Sequence, residues 1–249
     1  MKFLFNPQIT NTITPKIGFQ STTKASVTHT EPRKDSFNSN PLFDNYSDKI
    51  YLTKLIKSNP AITKILEENN IPININIDEL EKLKKGHLLN TRIIAAKIYS
   101  ALPNDIKSQI NLMDLQQAAM LHDYGKILIP PKILNKTTPL TEQEKLIMEL
   151  HSSLGAELLR QQGVKSEVAD LVKYHHQNLN GTGYPKLDNH FNYSYDAQII
   201  SIADKFSALT EKRCYKNPIS KNEALQILYQ DVIDGNYSKE IYDALLKIT

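Results

Sequence analysis

Cysteine is almost missing from this sequence: Cys214 is the only one in 249 residues. A disulfide framework and a cysteine zinc site are therefore both excluded, and a lone thiol fits a reducing compartment. No apolar run approaches the roughly 18 residues that a membrane-spanning helix needs. The opening MKFLFNPQIT lacks the long apolar stretch of a secretory signal. Together these absences predict a cytoplasmic protein with no membrane span. Charge of one sign is scarce as well. The net charge is +3, from 30 basic and 27 acidic residues interspersed along the chain. That leaves no basic stripe to follow a nucleic-acid polymer. Internal repeats and a regular series of strands are also missing.

What is present is helical periodicity in a chain that is 40% hydrophobic, with Ile and Leu dominant. Residues 1–46 are rich in Asn, Thr, Ser, Pro and Lys and show no apolar period, which predicts a disordered N-terminal tail. Their Ser/Thr-rich start is also the composition of a targeting segment, but a plain tail is the simpler reading. Residues 47–77 form a short helical lead-in. Pro60 splits it, because its ring blocks helix continuation, and Ile62, Ile65 and Leu66 give the i, i+3, i+4 spacing of a buried face. NIPININI reads as an extended connector. From residue 78 to 249 the pattern predicts one larger domain. It begins with a single helix from Asp78 to Leu102, stopped at Pro103, and a later apolar helix runs up to Gly125. Thr141 with Glu144 and Ser220 with Glu223 are capping-box pairs that open further helices. The fold class is all-α.

Seven histidines are present. His29 falls in the tail and His190 in a polar loop, whereas His87, His122, His151, His175 and His176 sit at the ends or faces of predicted helices. Singly, each is more often an ordinary buried or surface histidine than a ligand. A cluster of them with carboxylates would suit a divalent transition metal, and Asp123 and Asp204 are the carboxylates at hand. Asp204 interrupts the apolar helix IISIADKFSAL, where a charge is costly unless compensated. A metal would compensate it, and so would a lysine.

HDYGKILIPPKIL, then EKLIMELHSSLGAELL, KYHHQNLNGTGYP and IISIADKFSALTEKRCY occur in the order and spacing of the HD-GYP family. From about residue 80 onward the chain resembles these HD-superfamily phosphodiesterases, which hydrolyse cyclic di-GMP. The resemblance implies an HD-type helical bundle and two divalent metal ions, iron or manganese. Their ligands would be His87, His122, Asp123, His151, His175, His176 and Asp204, with Asp123 bridging. It implies attack on phosphorus by a metal-bridging hydroxide, giving pGpG or GMP, with Asp123 and Lys126 as the catalytic pair. Arg213, Lys216 and Tyr184 of the GYP would bind substrate, and a diguanylate cyclase is an implied partner of the GYP loop. Neighbouring helical side chains diverge by about 100°. His122 and Asp123 can still reach a common site at a helix end, and Gly125 is expected to turn the backbone there. Pro130 and Pro131 then stiffen the exit.

Four positions depart from the family pattern. Gln177 replaces a glutamate after the paired histidines, Asn180 an aspartate before GTGYP, and Ser207 an aspartate three residues after Asp204. Leu83 stands where some members carry a glutamate of a third metal site, so a two-metal centre is expected. Loss of supporting carboxylates predicts metal affinity lower by about 10- to 100-fold. A binding module without hydrolysis, and an HD hydrolase of another nucleotide or phosphate ester, are the alternative readings.

Overall fold

The computed structural model describes residues 49–84, 86–188, 193–212 and 217–249, without the side chains of residues 80, 83 and 84. The expected tail over residues 1–46, Arg213, Lys216, His190 and the side chain of Leu83 lie outside the described residues. Everything described there is helix, turn or connector, with no strand. None of its helices is long and apolar enough to cross a membrane.

The lead-in forms α1 (Lys49–Ser58) and α2 (Pro60–Glu68). Asn59 separates them: its side chain accepts from the Ala61 and Ile62 amides, and Pro60 takes the first helical position, where its missing N–H is no loss. Leu52 and Ile56, then Ile62 and Leu66, are buried one turn apart and belong to the main core. Gln161 ties the pair down by donating to the Leu55 carbonyl (2.9 Å) and Ser58 Oγ (3.0 Å). The connector that follows has no regular secondary structure. It buries Ile71 and Ile75, and the Asn76 amide donates to the Ile127 carbonyl (2.9 Å).

The single helix expected from Asp78 is two helices, α3 (Ile77–Lys84) and α4 (His87–Ala101). Gly86 leaves helical geometry between them, at φ −147° and ψ −90°, so His87 becomes the first residue of a helix instead of a mid-helix residue. After α5 (Asn104–Lys107), α6 (Leu112–Leu121) is capped by Asn111. Leu115, Ala118, Ala119 and His122 are buried at i, i+3, i+4, i+7, which places the histidine at the end of the core stripe.

A 3-10 turn (Tyr124–Leu128) and α7 (Pro131–Leu134) lead to α8 (Glu142–Gln161). Both expected capping boxes form, at Thr141–Glu144 and Ser220–Glu223. The remaining helices are α9 (Ser166–Tyr174), α10 (Tyr195–Thr210), α11 (Lys221–Ile233) and α12 (Lys239–Ile248). α4 packs on α6, α10 and α12, while α9 packs on α6 and α8. Helix ends therefore meet near the centre of the bundle.

Candidate metal centre

Gly125 serves the turn through its missing side chain and not through a left-handed backbone. It lies inside the 3-10 turn and its φ is not among the positive ones. A Cβ there would fall 2.0 Å from the His151 carbonyl oxygen and 2.5 Å from the Gly155 amide nitrogen. The missing side chain lets the turn lie directly on the α8 backbone at His151 and Gly155. That approach carries Asp123, the residue before the turn, to His151: Asp123 Oδ1 is 3.4 Å from His151 Nε2.

Three of the histidines are oriented in one way. The Nδ1–H of His122 donates to Ala119 O (2.8 Å), that of His151 to Met148 O (2.7 Å) and that of His175 to Val172 O (2.7 Å). Each uses the carbonyl three residues earlier in its own helix. This fixes the proton on Nδ1 and leaves every Nε2 facing the interior, as metal-ligating histidines require. α6 and α9 both end on this spot, and the partial negative charge of helix C-termini favours a cation there. His176 lies against His175, with ring centroids 3.9 Å apart. The Tyr184 ring covers His176 at 4.8 Å.

The donor atoms form two groups. Asp123, His151, His175 and His176 make one, and His87, His122 and Asp204 the other, with the donors of each within 4.8 Å of one another. Asp123 touches both: Oδ1 faces His151, while Oδ2 is 3.4 Å from His122 Nε2 and 3.9 Å from His87 Nε2. His87 Nε2 reaches Asp204 Oδ1 at 2.8 Å. Every residue expected as a ligand is thus in one place.

The site fits a divalent cation by its chemistry. His122 is fully buried, yet its Nε2 has no hydrogen-bond partner. It lies near Asp123 Oδ2 without the geometry of a bond. Such an orphaned nitrogen is costly unless something completes it. Burial opposes charge on His122, but Asp123 and then Asp204 outweigh it and raise its pKa to about 10. Burial lowers His151 to about 3 and His176 to about 4, keeping both neutral and ready to ligate. Burial would raise Asp123, yet Lys126 and then His122 hold its carboxyl well below the usual range. Lys126 Nζ donates to Asp123 Oδ2 at 2.6 Å. A cleft of about 330 Å³ opens beside these groups, lined by Lys126, His176, Asn178, Ser201, Asp204, Lys205, Ala208 and Tyr237. A second hollow of about 430 Å³, between residues 70–74 and 128–133, is lined by none of the histidines.

A family model for the HD domain matches residues 73–241. The chain belongs to the HD-domain family. A protein of Thermotoga maritima named cyclic di-GMP phosphodiesterase is 34% identical over 144 residues, which is 57% of this chain and 39% of that protein. A protein of Vibrio cholerae named 3'3'-cGAMP-specific phosphodiesterase 1 is 32% identical over 133 residues, 53% of this chain and 31% of that protein. The HD-domain chain thus spans well under half the length of these curated relatives. The solved structure of an HDGYP protein from Bdellovibrio bacteriovorus superimposes with a TM-score of 0.52 at 18% identity, covering 85% of this chain and 67% of that one. At that identity the likeness shows the fold alone.

In this HD domain the departures from pattern have work of their own. Gln177 is fully buried. Its Oε1 accepts from the Gly183 amide (2.7 Å) and the Asn178 amide (2.9 Å), and its Nε2 donates to Pro185 O (2.7 Å). A glutamate could take both amides but has no N–H for the carbonyl. Asn180 accepts from Thr182 N (3.1 Å) and donates to Asp234 O (2.9 Å), tying the same loop to the end of α11. Gly183 is pressed onto the backbone behind the histidine pair, where a Cβ would lie 2.2 Å from His176 O. The GTGYP loop is therefore clamped over the site by amides. Sequence reading missed this, and it also missed Glu211, the residue that ends α10 as its C-cap, four positions beyond Ser207. The i, i+3, i+7 spacing from Asp204 was the signal available for Glu211.

Proposed function

We propose that this HD domain is a cyclic di-GMP phosphodiesterase of the HD-GYP type. The observation that carries the reading is the pair of His/Asp groups sharing Asp123 beside a polar cleft with Lys126 on its wall. His122, His87 and Asp204 would hold one divalent ion and His151, His175 and His176 the other, with Asp123 bridging. Iron or manganese suits this set of nitrogen and oxygen donors. When bound, the ions supply the activated water and charge that phosphodiester hydrolysis needs.

The chain's own residues do the rest. Asp123 is held ionised, so it presents a carboxylate oxygen to each group. Lys126 lines the cleft beside Asp123 and offsets charge that builds on a phosphoryl oxygen. Tyr184 lies on His176, which lines the cleft, and is the ring assigned to stack on a base. Arg213 and Lys216 are assigned to the substrate phosphates, where a guanidinium fork pairs with phosphate oxygens. A diguanylate cyclase is the partner we assign to the GTGYP loop, and the cytoplasm is the compartment that the lone thiol suits.

A second cyclic dinucleotide, 3'3'-cGAMP, is weighed because the Vibrio cholerae relative named for it matches at nearly the same identity. The test is anaerobic loading with Fe(II) or Mn(II), followed by product analysis with cyclic di-GMP, 3'3'-cGAMP and a cyclic dinucleotide without guanine. Formation of pGpG or GMP from cyclic di-GMP is expected. Faster turnover of 3'3'-cGAMP would move the substrate assignment. Tight binding of cyclic di-GMP with no cleavage under either metal would replace the hydrolase with a binding module.

A further inference from the structure

His87 differs from the other oriented histidines. As the first residue of α4 it has no helical carbonyl three residues behind it in its own helix, and Gly86 before it provides no side-chain cap. Its Nδ1 instead faces α10. Ser207 Oγ lies 3.1 Å away and Glu211 Oε2 3.4 Å away. The Ser207 hydroxyl donates to Glu211 Oε1, so its oxygen is left to accept the His87 Nδ1–H. Asn90, one turn along α4 from His87, also donates to Glu211 Oε1 (2.7 Å). Oε2 is thereby left toward the imidazole.

Asp204 and Ser207 lie at i and i+3 on one face of α10, and Glu211 follows at i+7 as the C-cap residue of that helix. The first meets Nε2 of His87 and the other two meet its Nδ1. A carboxylate at the C-terminal end of a helix opposes the helix dipole. Here the Ser207 hydroxyl and the Asn90 amide donate to it, and the imidazole lies beside it.

We infer that Glu211, with Ser207 as its relay, is the positioning carboxylate of His87. It fixes the tautomer that turns Nε2 toward Asp204 and His122, the task that backbone carbonyls perform for His122, His151 and His175. The carboxylate that the sequence lacks at 207 is supplied from one helical turn further on. This rests on the two-ion reading above.

The test is Mn(II) titration of the full chain, with free Mn(II) followed by electron paramagnetic resonance and with melting temperature recorded on the metal-free protein. Two binding events are expected in the wild type. Glu211→Ala and Glu211→Gln should weaken one event by about 10- to 100-fold, leaving the other event and the metal-free melting temperature unchanged. Glu211→Gln keeps the volume, so it serves if the alanine variant folds poorly. In Ser207→Asp/Glu211→Gln a carboxylate returns beside Nδ1, and the weakened event should recover. Unaltered binding in the Glu211 variants would overturn the assignment. Equal weakening of both events with a lower melting temperature would also overturn it, by making Glu211 a strut between α4 and α10. Failure of the double variant to recover would show that the carboxylate itself is not what matters. No uptake of Mn(II) by the wild type would sink the two-ion reading and this inference with it, whereas two unchanged events would sink the inference alone.

Discussion

At the residue scale, the nitrogen that faces away from the site decides what each histidine can do. Backbone carbonyls take the Nδ1 proton of His122, His151 and His175, so a cation can meet only Nε2. Of these three, His122 is the one that carries a second proton, because burial is outweighed by Asp123 and Asp204. Ligand binding there must expel that proton. Calorimetric titration with Mn(II) at pH 7.5, in buffers of different ionisation heat, should reveal proton release, and none would contradict a charged His122. Linkage gives a second readout. The folded pKa of about 10 exceeds the unfolded value near 6.5, so this contribution is complete below about pH 6.5. It is lost as pH rises through 10. Melting temperature of metal-free protein should fall over that interval, and that of loaded protein should fall less. Gln177 makes a separate case. Gln177→Glu, which a family pattern would recommend as a repair, removes the donor to Pro185 O and buries an acid against a carbonyl. Destabilisation of about 1–3 kcal/mol is expected, read as a lower denaturation midpoint.

At the element scale, one glycine contact sets the geometry. The 3-10 turn lies on α8 because Gly125 and Gly155 present no side chains to each other. Gly125→Ala must push the turn away from the His151 carbonyl, and Asp123 moves with it. A loss of roughly 1–3 kcal/mol is expected from the overpacking. Bound Mn(II) should fall together with the denaturation midpoint. Gly163→Ala is the comparison: nothing lies within 4 Å of the added carbon, but its φ of +80° strains the backbone. It should cost stability and leave metal content intact. Gly86 shows why such roles are hard to read in a sequence. A glycine inside a helix costs only about 1 kcal/mol relative to alanine. Strong helix formers flank it on both sides, so the pattern alone does not distinguish a tolerated glycine from a break.

At the scale of the whole molecule, the lead-in is part of the domain's core. Leu52, Ile56 and Ile62 are fully buried and Leu66 nearly so, in one cluster with residues of α4, α6 and α8. Ile62→Ala is expected to destabilise by about 2–5 kcal/mol, although the residue lies before the HD-domain match at 73–241. Thermal denaturation of the variant checks this, and a shift near zero would make the lead-in an appendage. Chelation should likewise lower the melting temperature of loaded protein, since ions that bind only the native state stabilise it by mass action.

The sequence by itself determined the helical class, the break at Pro60, both capping boxes and the full roster of candidate ligands. Each of these is local, written in periodicity, cap chemistry or a motif a few residues long. Only the tertiary structure decided that the histidines divide into two groups around Asp123, because that depends on which helix ends meet. It also decided that Gly125 lets its turn lie directly on α8. The same holds for the support of His87 by Glu211, 124 positions further along the chain. Sequence spacing says nothing about distance between residues on different helices until packing has fixed it.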